Sequence, residues 1–119
     1  MTSGTCHCGN ITLQVKTLPD TLTQCNCSHC FRTAPLYGYY TSPEVDVIVT
    51  SGVTDGYEWG DRMIHFHHCP IYKIHTHYTA TDKAGMDRVG VNFRLFDREM
   101  VESIRVRRFD GADTWTFLD

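Results

Sequence analysis

The sequence lacks any long apolar run, and its first residues lack the pattern of a secretory signal. No segment approaches the roughly 20 consecutive apolar residues that a helix needs to cross a bilayer. The first ten residues, MTSGTCHCGN, have neither a basic start nor an apolar stretch. These absences predict that the protein has no membrane partner and lies in the cytoplasm, where thiols stay reduced.

Basic charge is also scarce. The chain has 11 Lys and Arg residues against 14 Asp and Glu residues, so its formal net charge is -3. A protein that binds nucleic acid usually carries a clustered basic surface. The short run RVRR near the C-terminus is instead typical of an exposed strand face. We therefore expect no nucleic-acid partner.

Helical periodicity is also scarce in this sequence. Only the segment DREMVES, residues 97–103, predicts a helix, and that helix would have about a turn and a half. Apolar and polar residues instead alternate in short segments with turn residues between them, which is typical of β-strands. Strands are predicted in PLYGYYTSP, MIHFHHC, KIHTHYTA, VGVNFRLF, ESIRVRRF and TWTFL. Two further segments each place three residues on one face: Ile11, Leu13 and Val15, then Val45, Val47 and Val49.

The chain of 119 residues shows no internal repeat and no linker. Its length fits one domain of ordinary size, residues 1–119. The strand pattern predicts a mainly β fold made of small antiparallel sheets or an irregular barrel, with cysteine-bearing loops where the strands converge.

Cysteine, by contrast, is plentiful, with six residues in the chain. In a reducing compartment such clusters indicate metal binding rather than disulfides. Cys6 and Cys8 in TCHCG are two apart, so on a strand both sulfurs point to the same side. This pair supplies half of a tetrahedral site and needs distant ligands to complete it.

The segment CNCSHC places Cys25, Cys27 and Cys30 within six residues. Three protein ligands on zinc leave a fourth position open, which is typical of a catalytic site. Three thiolates on Zn²⁺ leave a net charge of -1, which weakens the acidification of water and suits exchange with a soft ligand such as a substrate sulfur. An iron–sulfur cluster of the Rieske type would need a second Cys-x-x-His, but the position that follows from Cys69 is Tyr72.

Several segments together resemble the glutathione-dependent formaldehyde-activating enzyme and centromere protein V family. They are GTCHCGNITLQV, CNCSHC, YYTSPEVDV, CPIYKIHTHY and GVNFRLFD, and they run from Gly4 to Asp97. The resemblance implies a β-rich, tent-like fold that holds two zinc ions. It implies carbon–sulfur lyase activity on adducts of glutathione with small carbonyl compounds. The ligand sets that it implies are Cys6, Cys8 and Cys69 for a structural zinc, and Cys25, Cys27 and Cys30 for an open, catalytic zinc.

The chain departs from the family pattern at three positions. Tyr72 stands where the family has a fourth cysteine, Lys73 stands where a glycine follows it, and Leu95 stands where a cysteine is common. The sequence therefore does not determine the fourth ligand of the site that contains Cys69. This site can also have no fourth protein ligand. The candidates for a fourth ligand are His68, His75, His77 and Tyr72. Tyr72 is the least favourable, because its phenol would need a large drop in pKa from about 10.

The histidines also have a simpler interpretation, in which they alternate on strand faces near the surface: His65, His67, His75 and His77. His75 or His77 could instead contact substrate, since IHTHY resembles a family segment near the active site.

Three functions remain open from sequence. The first is a zinc-dependent lyase in which His29 or a tyrosine moves a proton, and basic residues bind an anionic thiol. The second is a non-enzymatic, zinc-stabilised binding module, and the third is a degenerate member with one zinc. A concave, partly apolar pocket at the three-cysteine site would favour the enzyme, whereas a closed fourth ligand would favour the module. The oligomeric state stays open. The candidate tyrosines and basic residues are Tyr37, Tyr39, Tyr40, Arg32, Lys73 and Arg94.

Overall fold

Ten short strands arranged in two sheets make up most of the fold. The computed structural model describes the whole chain, residues 1–119. The strands are β1 Thr2–Thr5, β2 Ile11–Val15, β3 Thr21–Cys25, β4 Tyr37–Tyr40, β5 Val45–Val49, β6 Asp55–Tyr57, β7 Ile64–His68, β8 His75–Ala80, β9 Val89–Asn92 and β10 Arg105–Phe109. The helices are α1 Ser28–Thr33 and α2 Arg98–Glu102, with 3₁₀ turns at Ser42–Glu44, Asp82–Ala84 and Phe93–Leu95. The prediction of a mainly β fold is confirmed.

The smaller sheet has the strand order β1-β2-β5, and all its pairs are antiparallel. Ile11, Leu13 and Val15 on its central strand are fully buried, as their alternation predicts. The corresponding prediction for β5 is wrong at Val47, which is 38% exposed. Val47 lies opposite Leu13, but β5 is an edge strand, so one flank of its apolar face meets solvent.

The larger sheet has the order β10-β3-β4-β9-β8-β7-β6. Every pair in it is antiparallel except β10 with β3, which is parallel and sets Phe109 opposite Cys25. The predicted strand in TWTFL is absent, since only an isolated bridge joins Phe117 to Phe109. The chain therefore returns at its C-terminal end to the strand that carries the first cysteine of CNCSHC.

Two apolar clusters fill the interior, and each contains cysteines. The larger cluster of 13 buried residues includes Cys6 and Cys69, while the smaller cluster joins Cys30 to Tyr37, Phe66 and Tyr78. No helix is long and apolar enough to span a membrane.

The short helix α1 is not predicted from sequence, whereas α2 is confirmed within DREMVES. Cys27 caps α1, because its sulfur accepts a hydrogen bond from the backbone N–H of Cys30 at 3.4 Å. The helix ends at Ala34, which adopts the left-handed conformation with φ 52°. Six residues are too few to show helical periodicity, so the cysteine motif itself determines this element.

Candidate metal centre

The six cysteines lie in two groups of three, and all six thiols are free of disulfides. Within each group the three sulfurs lie within 4.8 Å of one another, which is close enough to share one metal ion. The groups are Cys6, Cys8 and Cys69, and Cys25, Cys27 and Cys30.

In the first group, Cys6 and Cys8 follow β1 and Cys69 follows β7. The sulfur of Cys8 lies 3.4 Å from that of Cys6 and 3.5 Å from that of Cys69, and the third separation is 3.8 Å. A tetrahedral zinc with Zn–S bonds of about 2.3 Å holds its sulfurs about 3.8 Å apart. The separations therefore match a metal site and are far longer than the bond of about 2.05 Å in a disulfide.

Amide groups surround the sulfurs of this first group. The backbone N–H of Ile11 donates to Cys6 Sγ at 3.2 Å, and that of Tyr72 donates to Cys69 Sγ at 3.3 Å. Burial by itself would raise the pKa of Cys69, but these backbone donors and the Asn10 amide outweigh it and lower the pKa to about 6. Cys69 is thus a thiolate at neutral pH, the form that binds metal.

No histidine, aspartate or glutamate joins either group of three sulfurs. Of the candidate fourth ligands, His75 bonds through its two ring nitrogens to the Tyr37 hydroxyl and the His67 carbonyl. His77 bonds Thr76 and stacks on His67. Tyr72 offers its backbone N–H to Cys69, while its ring stacks on His7 at a centroid distance of 5.2 Å. The ring of His68 packs against the rings of His29 and His75, at centroid distances of 6.2 and 5.2 Å.

The interpretation of the histidines as surface residues is wrong for His75 and His77, each of which is 2% exposed. Both lie on β8, where four successive residues, His75–Tyr78, are buried, so both faces of this part of the strand are covered. Burial lowers the pKa of each to about 3, and both rings are neutral at physiological pH.

The second group is formed by one turn of chain. Cys25 ends β3, Cys27 caps α1, and Cys30 lies in the first turn of that helix. The backbone N–H of Cys27 donates to Cys25 Sγ at 3.4 Å. Hydrogen bonds from Cys25 and Cys30 lower the pKa of Cys27, whereas the hydrogen bonds of Cys30 to Cys25 and Cys27 raise the pKa of Cys30. The three thiols therefore titrate as a unit in which Cys27 is the thiolate.

A buried tyrosine and a buried histidine stand behind this group. Tyr37 Oη lies 4.0 Å from Cys30 Sγ and 2.8 Å from His75 Nε2. Because His75 Nδ1–H donates to the His67 carbonyl at 3.0 Å, Nε2 is the acceptor and the Tyr37 hydroxyl is the donor. Burial raises the pKa of Tyr37, so its hydroxyl keeps its proton.

A cavity of about 280 Å³ opens on the second group. Cys25 and Cys30 line it, together with the apolar side chains of Phe31, Phe109 and Leu118. This is the concave, partly apolar pocket that the sequence analysis associates with an enzyme. The polar residues that line it are Gln24, Asn26 and Arg108.

His29, the candidate proton carrier, lines a different cavity from Cys25 and Cys30. Its ring stacks on Phe66 at a centroid distance of 3.8 Å, and it lines a second cavity of about 570 Å³ with Trp59 and His68. Burial lowers its pKa, and its buried Nδ1 has no hydrogen-bond partner. His29 therefore does not face the cavity at Cys25 and Cys30.

The other predicted residues also have different surroundings. Tyr40 donates its hydroxyl to the Thr17 carbonyl, and Tyr39 lies under the Arg88 guanidinium. None of the predicted basic residues lines the 280 Å³ cavity: Arg32 bonds the Ser28 carbonyl, Lys73 pairs with Asp55, and Arg94 bonds the Ala34 carbonyl. Arg108, which is not among the residues predicted from the sequence, does line it. Its only sequence signal is RVRR, which indicates an exposed strand.

Comparison with known proteins identifies the relatives of the chain. The model of the glutathione-dependent formaldehyde-activating enzyme family matches residues 1–107. A solved crystal structure of a Rhodobacter sphaeroides protein superposes with a TM-score of 0.71 at 22% identity, covering 87% of this chain and 98% of that one. No curated protein matches the chain. Because the family match covers most of the sequence and both cysteine groups, the chain belongs to the glutathione-dependent formaldehyde-activating enzyme family.

Proposed function

We propose that the protein is a zinc-dependent enzyme that forms or breaks a carbon–sulfur bond in an adduct of a small thiol with a small carbonyl compound. The observation that supports this most directly is the cavity at Cys25 and Cys30. No fourth protein side chain closes the group there, and a closed site was the feature expected of a binding module.

Zinc is the proposed metal at both groups, because donor sets made only of thiolates select soft or borderline ions such as Zn²⁺. Cys6, Cys8 and Cys69 would hold a structural ion, and Cys25, Cys27 and Cys30 a catalytic one. When bound at the second group, zinc supplies Lewis-acid polarisation of a ligand sulfur or oxygen. The sulfur separations of 3.4 to 3.8 Å in the first group support two sites over the degenerate alternative.

The protein itself contributes the walls of the cavity and a series of hydrogen bonds that runs from Cys30 through Tyr37 to His75. Phe31, Phe109 and Leu118 give the cavity apolar walls, and Phe31 and Leu118 are exposed at its rim, so a small ligand can enter from solvent. When Cys30 is protonated, its S–H points to Tyr37 Oη, and Tyr37 donates in turn to His75 Nε2. Burial keeps His75 neutral and Tyr37 protonated, so this series orients the Tyr37 hydroxyl beside Cys30, and the proton that Cys30 gives up when a metal binds passes to solvent.

The reaction that we propose joins the thiol sulfur to the carbonyl carbon while the thiol proton moves to the carbonyl oxygen, or runs in reverse. The partner is a small-molecule thiol rather than a nucleic acid, consistent with the net charge of -3. Six cysteines without a disulfide are typical of a reducing compartment, and we propose the cytoplasm.

The test is the exchange rate between glutathione with formaldehyde and their S-hydroxymethyl adduct, measured by NMR exchange spectroscopy with zinc-loaded protein. We expect acceleration over the uncatalysed exchange, and we expect Cys27→Ala to abolish it while circular dichroism stays native. Ser103→Ala, in the loop after α2, is the control that keeps the acceleration. No acceleration by the native protein, or an equal one by Cys27→Ala, would contradict the proposal.

A further inference from the structure

The end of the chain forms one wall of the cavity at Cys25 and Cys30. The family match stops at residue 107, yet Arg108, Phe109 and Leu118 all line this cavity. The parallel pairing of β10 with β3 sets Arg108 opposite Gln24 and Phe109 opposite Cys25. The segment after residue 107, which the family model does not match, therefore supplies part of the cavity wall beside the cysteines.

Hydrogen bonds fix this segment to the cysteine loop itself. Asn26, between two of the cysteines, donates through Nδ2 to Asp110 Oδ1 at 2.9 Å and accepts from the backbone N–H of Ala112 at 3.0 Å. Gly111 comes so close that a Cβ there would lie 2.6 Å from Cys25 Sγ. The wall is thus packed directly against the group.

Arg108 is the only Lys, Arg, Asp or Glu that lines this cavity. Its neighbours Arg105 and Arg107 both pair with Asp119, at 2.8 and 3.4 Å. The guanidinium of Arg108 has no hydrogen bond and no ion pair within the protein. An arginine presents a planar fork of N–H donors that matches a carboxylate.

We propose that Arg108 is a specificity-determining residue that binds a carboxylate of the thiol ligand, an inference that rests on the proposed thiol binding at Cys25, Cys27 and Cys30. The cavity of about 280 Å³ lies at the lower end of the usual range for ligand sites. It therefore has room for a small thiol acid, or for one carboxylate-bearing end of a larger thiol.

The experiment compares two thiols of the same length, 3-mercaptopropionate and the neutral 3-mercaptopropionamide, by calorimetric titration into zinc-loaded full-length protein. We expect the native protein to bind the carboxylate about tenfold more tightly. Arg108→Gln should reduce that preference to about one with little change in amide binding, because the amide does not use the charge. Arg108 is exposed, so we expect the variant to fold.

The matched control is Arg98→Gln, which removes the same charge from a side chain that is 89% exposed and pairs only with Glu102. It should keep the tenfold preference. Equal binding of the two thiols by the native protein, or an unchanged preference in Arg108→Gln, would overturn the role of Arg108 and leave thiol binding intact. If neither thiol binds the native protein, the proposed function itself fails, and this inference with it.

Discussion

At the scale of single residues, the Tyr37 hydroxyl is a buried polar group behind the second cysteine group. Its only strong hydrogen bond goes to His75 Nε2, at 2.8 Å. Tyr37→Phe leaves that nitrogen buried without a donor, which typically costs about 1–3 kcal/mol. We expect the free energy of unfolding to fall by that amount in urea denaturation of the zinc-loaded protein, with an unchanged zinc content.

The matched control for this prediction is Tyr57→Phe, since Tyr57 is 52% exposed and its hydroxyl bonds no protein group. Its free energy of unfolding should change by less than about 0.5 kcal/mol. An equal loss in the two variants would show that the hydrogen bond to His75 does not carry the effect.

Gly111 supports a second prediction at this scale. It has an ordinary backbone conformation, so Gly111→Ala acts through space alone, by placing a Cβ 2.6 Å from Cys25 Sγ. We expect Cys25 to shift and the sulfur-to-metal absorption of the cobalt-substituted protein to weaken. Ala112→Ser, at the exposed next position, should keep the native spectrum; the same loss in both variants would contradict the contact.

Spacing predicted that Cys25, Cys27 and Cys30 lie together, whereas the place of Cys69 beside Cys6 and Cys8 was implied only by the family resemblance. Short spacing is enough to bring Cys25, Cys27 and Cys30 together, because the chain between them is only a few residues long. Arg108 and Gly111 lie more than 80 residues after Cys25 in the sequence, and the pairing of β10 with β3 brings this part of the chain to the cysteines. Nothing local in RVRR or DGAD signals that contact.

At the scale of elements, the parallel pairing of β10 with β3 is the feature that alternation cannot predict. Alternating apolar and polar residues fit a strand of either direction, so the pattern in ESIRVRRF leaves the partner strand and its direction open. The helix α1 was not predicted for a different reason. Its N-terminus is capped by the sulfur of Cys27, whereas the residues that indicate a helix N-cap in a sequence have oxygen-bearing side chains.

Asp110 holds the C-terminal segment in place and supports a prediction at this scale. Its carboxylate accepts hydrogen bonds from the Asn26 amide and from the Thr114 backbone and hydroxyl. Asp110→Ala should release residues 111–118, detected as faster amide hydrogen exchange there and altered Trp115 fluorescence. Asp113→Ala, an exposed neighbour, should not; equal exchange in the two variants would contradict the role of Asp110.

The pH dependence of the same contact has a definite sign. Hydrogen bonds from Asn26 and Thr114 lower the pKa of Asp110 below its ordinary value of 3.8. The stabilisation is therefore fully present above pH 3.8 and is lost as the pH falls through the lower, folded-state pKa. The amide protection factors of the segment, which correct for the pH dependence of intrinsic exchange, should fall in wild-type protein only at such acidic pH, and in Asp110→Ala they should be low already at neutral pH.

At the scale of the whole molecule, we expect the two cysteine groups to contribute unequally to the stability of the fold. Cys6 and Cys69 belong to the larger apolar cluster, and the first group joins the loop after β1 to the loop after β7. The second group lies within one short stretch of chain. Since binding of a structural metal contributes to folding itself, Cys8→Ala should lower the Tm sharply, and Cys27→Ala should lower it modestly.

Differential scanning calorimetry of the two variants and of wild-type protein measures this difference. Cys8 is exposed, so its loss removes a ligand and little buried surface, which makes it a clean probe of the metal. An unchanged Tm in Cys8→Ala would contradict the structural assignment, and wholesale unfolding of Cys27→Ala would mean that the second group is structural as well.

The number of zinc ions per chain, measured by native mass spectrometry with elemental analysis, tests the central claim most directly. We expect two zinc ions in the wild-type protein and one in each of Cys8→Ala and Cys27→Ala. A single zinc in the wild-type protein, or iron in place of zinc, would contradict the assignment of two three-cysteine zinc sites.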